Sequence, residues 1–165
     1  MCVIKTEDLC AEERAAYESY MRAALEEARL CSESDDVPVG AVAVLDGRIV
    51  GRGRNAREKR RSPLWHAEMQ ACEEAASRLG RWNLSGVIIV ATKEPCVMCA
   101  GLLVQSRISA CVFAVSDKKG GGCGGNMQIA CNPSLNHRVR LVSGVLESEC
   151  LELLRGFFQK KRKIT

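Results

Sequence analysis

Residues 86–115 read GVIIVATKEPCVMCAGLLVQSRISACVFAV. GVIIVAT (Gly86–Thr92) is an apolar, β-branched run of strand length. Pro95 is pre-set to helical φ and opens a short helix, CVMCAGLLVQS. ISACVFAV (Ile108–Val115) is a second buried strand. A strand, a crossover helix and another strand imply parallel pairing, and with it an α/β fold.

The flanking sequence extends that unit. Between about Glu12 and Cys31, Tyr17, Met21, Ala24, Leu25 and Ala28 recur with helical spacing. VPVGAVAVL, then Asp46-Gly47, then RIVGRG predicts a β-hairpin, because both turn residues tolerate positive φ. Ser62-Pro63 predicts a helix start, with Gly80 as the stop after Leu79. RVRLVS (Arg138–Ser143) is a last short strand, and an amphipathic helix runs from about Glu147 to Lys161. The expected architecture is a three-layer α/β/α sandwich around a mixed sheet of about five strands. It forms one domain over residues 1–165, with a variable lead-in of about residues 1–11 and a basic end to the last helix.

Composition narrows the function classes. The apolar share of 47% and charged share of 27% argue against disorder. No apolar run approaches the ~18 residues a membrane span needs. The N-terminus, MCVIKTEDLC, lacks the apolar core of a signal peptide, so the expected compartment is the cytoplasm. Ten cysteines are many. Without a signal peptide a disulfide framework is the weaker reading, and most are expected as small, buried, reduced residues. The net charge of +4 is uneven: RGRNAREKRR (Arg52–Arg61) and QKKRK (Gln159–Lys163) are basic clusters. They suit a polyanionic partner, or are simply solvated surface. DKKGGGCGGN contains G-x-G-x-x-G (Gly120–Gly125), but no clear helix start follows it, which argues against a dinucleotide site.

Cys96 and Cys99 stand at i and i+3, which puts both sulfurs on one side of a helix's first turn. Two thiolates are half of a tetrahedral zinc site. The chain has only two histidines, His66 and His137, and no second C-x-x-C. Three ligands, His66, Cys96 and Cys99, are therefore the natural count, leaving one position for water as in a catalytic site. Glu68, two residues beyond His66, is then placed to take and return that water's proton. Each piece has a plainer reading: C-x-x-C as a redox pair, H-x-E as chance, a lone histidine as a core residue. Together, H-x-E and P-C-x-x-C form a known signature of zinc-dependent nucleobase deaminases.

The chain also resembles the bacterial tRNA-specific adenosine deaminases, of the cytidine deaminase-like superfamily. The likeness runs from about Tyr20 to Lys161. It rests on VPVGAV (Val37–Val42), GRGRNA (Gly51–Ala56), HAE (His66–Glu68), EPCVMCAG (Glu94–Gly101), LNHRV (Leu135–Val139) and SGVLESEC followed by Phe157-Phe158, all in the family's order. The resemblance implies one zinc ion per subunit, a homodimer, and a tRNA anticodon stem-loop as partner. It implies hydrolysis of adenosine to inosine at the wobble position: activated water attacks the ring carbon bearing the amine, and Glu68 moves protons to the ring nitrogen and to the leaving ammonia. It also implies substrate-binding roles for Asn55, Val39, Ala67, Asp117, Lys119 and Phe158, with Lys161 and Arg162 beside the RNA. A base splayed out of a loop suits this chemistry, because a stacked base cannot reach a buried metal.

Four features depart from the family's pattern: Trp65 before His66, Arg54 before Asn55, Lys93 in T-x-E-P-C, and the glycine-rich Gly120–Asn126 loop. They bear on substrate choice rather than on the reaction. Trp65 in particular is expected either to reshape the pocket mouth or to pack in the core. Two alternatives stand beside the main reading. One is a zinc deaminase of a free nucleobase or nucleoside such as guanine or cytidine. The other is a non-catalytic zinc or nucleic-acid-binding module, which needs a fourth ligand from Cys123 or Cys131.

Overall fold

In the computed structural model, which describes residues 2–164, the run at residues 86–115 folds as β4 (Ile88–Lys93), α4 (Val97–Gln105) and β5 (Ala110–Val115). β4 and β5 pair in parallel, from Ile88 opposite Ala110 to Lys93 opposite Val115. β2 (Gly40–Leu45) and β3 (Arg48–Arg54) form the hairpin, turned at Asp46 and Gly47 with φ of 49° and 75°. β2 joins β4 antiparallel, and β6 (Arg140–Ser143) joins β5 in parallel. A further strand, β1 (Val3–Lys5), pairs in parallel with β6, Val3 opposite Leu141. The order β1-β6-β5-β4-β2-β3 makes six strands rather than about five. The added strand is three residues long, too short to show any period, and it lies inside the stretch expected as a variable lead-in.

Alternate residues of each strand face opposite layers. On one face, Tyr17, Met21 and Leu25 of α1 (Ala11–Arg29) and Cys150 of α5 (Glu147–Ile164) pack on Val42, Val44, Val90, Val112 and Val142. On the other, Ala71 and Ala75 of α3 (Ala67–Leu79) and Leu103 of α4 pack on Ala41, Ala43, Ile89, Phe113 and Leu141. Phe113 and Met21 are fully buried. Each such side chain contributes roughly 1.5–3 kcal/mol through the area it removes from water. The alanines of α3 bring its backbone close to β3. A Cβ on Gly53 would collide with the carbonyl of Ala67, so only glycine lets the start of α3 lie where it does.

Two expectations are corrected. Helix α3 begins at Ala67, not at Ser62-Pro63. Residues Arg57–Arg60 form a separate short helix, α2, which ends on Arg61 with φ 50°. Ser62 then caps a turn by accepting the Leu64 N–H. The Trp65 carbonyl accepts the Ala56 N–H at 3.0 Å, which ties that segment to the end of the hairpin. A Ser-Pro pair serves a turn as well as a helix start, and this tertiary bond selects the turn. The second correction concerns cysteine pairing. Cys2 and Cys131 are joined in a disulfide, with Cα atoms 6.5 Å apart. The other cysteines are free, and all but Cys10 and Cys96 are buried.

Candidate active site

The three candidate ligands come from two helix starts. His66 is the N-cap of α3 and Cys96 the N-cap of α4, both with extended backbone, and Cys99 follows in the first turn of α4. Unpaired N–H groups and the helix dipole favour negative charge at such ends, which suits thiolates. His66 Nδ1 lies 3.6 Å from Cys96 Sγ and 3.5 Å from Cys99 Sγ. For zinc bonds of about 2.3 Å to sulfur and about 2.0 Å to nitrogen, a tetrahedral angle sets that edge at roughly 3.6 Å. The two histidine–sulfur edges thus match those of a tetrahedral zinc site. All three donor atoms lie within 4.8 Å of one another, and among the described residues no fourth His, Cys, Asp or Glu joins the group. Cys123 is buried elsewhere, Cys131 is taken by Cys2, and His137 hydrogen-bonds the Ile108 carbonyl.

Charge is shared unequally across this group. Hydrogen bonds from Cys99 and His66 hold the Cys96 thiol down at about 3. The same bond to Cys96 pushes Cys99 up, so Cys96 is the anionic member and its neighbours donate to it. His66 is raised by its hydrogen bond to Cys96. Glu68 is buried, and loss of solvation raises its carboxyl above the ordinary range. It stands in the first turn of α3 and lines the same cavity as His66.

That cavity encloses about 270 Å³. Its walls bring together Val39, Asn55, His66, Ala67, Glu68, Cys96 and Phe158, with Val37, Arg57, Lys93 and Glu94. Cys99 lies buried beneath it. Asn55 Nδ2 donates to the Val37 carbonyl at 3.0 Å, while its Oδ1 is buried with no partner. A free, buried acceptor at a cavity wall is what an N–H of a bound base requires. Asp117 stands outside the lining, paired with Lys93, and Lys119 is exposed on the following turn. Of the two terminal phenylalanines, only Phe158 reaches this cavity; Phe157 meets its ring edge-on and lines a hollow between α1 and α5.

Two departures turn away from the cavity. Arg54 reaches Glu27 of α1 at 3.2 Å. Trp65 is not in the cavity wall and not in the core. Its ring stacks under Arg60, 4.5 Å from the guanidinium carbon, in a separate hollow shared with Leu64, Met69 and Trp82. Both were legible only as neighbours of site residues, and a neighbour on an extended segment points to the opposite side.

Sequence reasoning missed Glu94. It is buried between β4 and Pro95, and its carboxylate accepts N–H groups from Asp117 (2.8 Å), Cys123 (3.0 Å) and Gly125 (2.8 Å). A Cβ at Gly121 or Gly125 would overlap that carboxylate. The glycine-rich loop therefore does cradle an anion, but an internal one. The loop lies directly on the ligand segment, where the Gly122 N–H donates to the Pro95 carbonyl at 2.9 Å.

These features have counterparts in known proteins. The sequence profile of the MafB19-like deaminase family matches residues 16–162. The tRNA-specific adenosine deaminase of Bacillus subtilis (strain 168) is 44% identical over 146 residues, 88% of this chain and 91% of that protein. The tRNA-specific adenosine deaminase of Aquifex aeolicus (strain VF5) is 43% identical over 145 residues, 88% of this chain and 95% of that protein. A solved structure from a study of A-to-I editing by tRNA:A34 deaminases at the wobble position of transfer RNA superposes with a TM-score of 0.78. It is 36% identical, over 82% of this chain and 98% of that one. The likeness covers most of the sequence and the fold, and the chain belongs to the tRNA-specific adenosine deaminases, a family of hydrolytic deaminases.

Proposed function

We propose that this protein hydrolyses adenosine to inosine and ammonia at the wobble position of a tRNA, with zinc held by His66, Cys96 and Cys99. The observation that carries the reading is a three-donor cluster, with no fourth protein ligand among the described residues, opening into a cavity that also holds a buried carboxylate. His66, Cys96 and Cys99 would hold the zinc, and the chemistry it would supply when bound is activation of a water at neutral pH. Glu68 takes a proton from the attacking water and delivers it to the ring nitrogen, then takes the remaining proton of the added hydroxyl and passes it to the departing amine, which leaves as ammonia as the carbonyl forms. Asn55 Oδ1 accepts from the base, Val39 and Ala67 wall it, and Phe158 closes the side formed by α5.

The RNA side of the reading draws support from cations near the mouth. Arg57 and Lys93 line the cavity, Lys119 is exposed beyond Asp117, and Lys161 and Arg162 follow Phe158 on α5. No described helix is long and apolar enough to cross a bilayer. The cytoplasm, where tRNA is found, is the proposed compartment. A homodimer is proposed as the working form. The hollow beside Trp65 is flanked by Leu64 and Trp82, which are 57% and 69% exposed, and apolar side chains this open suit burial against a second subunit.

An anticodon stem-loop carrying adenosine at its wobble position tests the reading. Inosine should form, and kcat/KM should fall roughly tenfold or more between 50 and 200 mM salt, because several phosphate contacts release counterions. Turnover of free guanine or cytidine with none on the stem-loop would overturn it.

A further inference from the structure

We propose that Lys93 is a specificity-determining residue, the cation that binds a phosphate flanking the reacting nucleotide. The inference rests on the RNA reading above. Lys93 ends β4, on the same face as Ile89 and Ala91, so the strand carries its side chain to the cavity where Cys96 begins α4. Its ammonium pairs with Asp117, and both side chains are only partly exposed.

The loop is held by backbone donors as well as by that pair. Asp117 Oδ1 already accepts the Lys119 and Gly120 N–H groups at 2.9 and 3.1 Å. The Asp117 N–H is itself held by Glu94, whose carboxylate also takes Cys123 and Gly125. The turn is therefore fixed by backbone donors on every side. If Lys93 turns to a phosphate, Asp117 Oδ1 keeps its two backbone hydrogen bonds and Oδ2 turns to solvent. The lysine thus brings a positive charge on a flexible four-carbon stem to the cavity wall, where Asp117 is its present partner.

The remaining charges at the wall point the same way. Glu94 is buried and its carboxylate accepts three backbone N–H groups, so most of its acceptor capacity is already used within the protein. Arg57 adds a second cation to the lining. Arg54, by contrast, is committed to Glu27 and lies outside it. A base placed against Asn55 carries its flanking phosphates out of the cavity toward these cations. A phosphate then replaces the Asp117 carboxylate as the partner of Lys93, exchanging one charge-assisted hydrogen bond for another.

The test combines a residue change with a change in the RNA. The zinc-loaded protein and its Lys93→Met and Lys93→Arg variants are assayed on a wobble-adenosine stem-loop, and on two copies in which the phosphate 5′ or 3′ of that adenosine is a neutral methylphosphonate. One neutral linkage should lower wild-type kcat/KM about tenfold. Lys93→Met should lose a similar factor on the natural RNA and nothing more on that same neutral RNA. Lys93→Arg should retain most of the activity and its sensitivity to the linkage. Losses that simply multiply at both linkages, or a Lys93→Met variant as active as wild type, would overturn the proposal. Lys93→Met retaining zinc and melting temperature but losing equally on all three RNAs would make Lys93 a loop support instead. If the wild type forms no inosine on any stem-loop, it is the RNA reading itself that fails, and this proposal falls with it.

Discussion

At the scale of single residues, the site is an arrangement of donors at helix starts. Cys96 is held as thiolate by Cys99 and His66, and Glu68 lies beside them, desolvated and raised. Glu68 lies outside the donor group, so removing it should leave the metal in place. Glu68→Ala is expected to retain stoichiometric zinc by metal analysis while single-turnover rates drop by about 10³-fold or more, the usual scale for losing a proton-transfer group. Zinc loss in that variant would show the carboxylate to be a ligand. Trp65 has a different standing. Its ring stacks under Arg60 in a hollow away from the cavity, so Trp65→Ala should leave the ratio of rates on stem-loop and free nucleoside unchanged. A shifted ratio would return Trp65 to the pocket.

At the scale of elements, the loop after β5 is held by the residue after β4. Glu94 accepts three backbone N–H groups from that loop while fully withdrawn from water. Replacing a carboxylate oxygen with an amide NH2 sets a donor against one of those donors. Glu94→Gln should therefore destabilise the protein by roughly 1–3 kcal/mol in urea unfolding, with an unchanged m-value. A midpoint equal to wild type would mean that the loop finds other acceptors. The carboxylate reads in sequence only as an acid before Pro-Cys. Its partners lie from Asp117 to Gly125, more than twenty residues along the chain, and no local pattern couples the two.

At the scale of the whole molecule, the two faces of one sheet do different work. The face under α1 and α5 carries valines and bulky helix residues, and that under α3 and α4 carries alanines that bring the ligand helices close. Outside the sheet, Trp82 is the most exposed large apolar side chain among the described residues, at 69%. If the hollow beside it meets a second subunit, Trp82→Glu should convert the protein from dimer to monomer by sedimentation at micromolar concentration, because a buried carboxylate without a partner is costly. A dimer of unchanged affinity would place the interface elsewhere.

Much of this was legible from residues close together in sequence. The β4–α4–β5 unit and the Asp46-Gly47 hairpin follow from local period and turn chemistry, since each depends on neighbours within one element or one turn, whereas His66 meets Cys96 and Cys99 only where two separate helix starts converge. The tertiary structure alone decided what depends on distant segments meeting. It placed β1 beside β6, joined Cys2 to Cys131 across 129 residues, started α3 at Ala67 through the Ala56–Trp65 bond, and set Lys93 against Asp117. Such contacts have no sequence period to announce them. They form because a sheet edge, a buried carboxylate or a partly buried cation must find a partner once the core has closed, and which partner is nearest is a property of the packed chain.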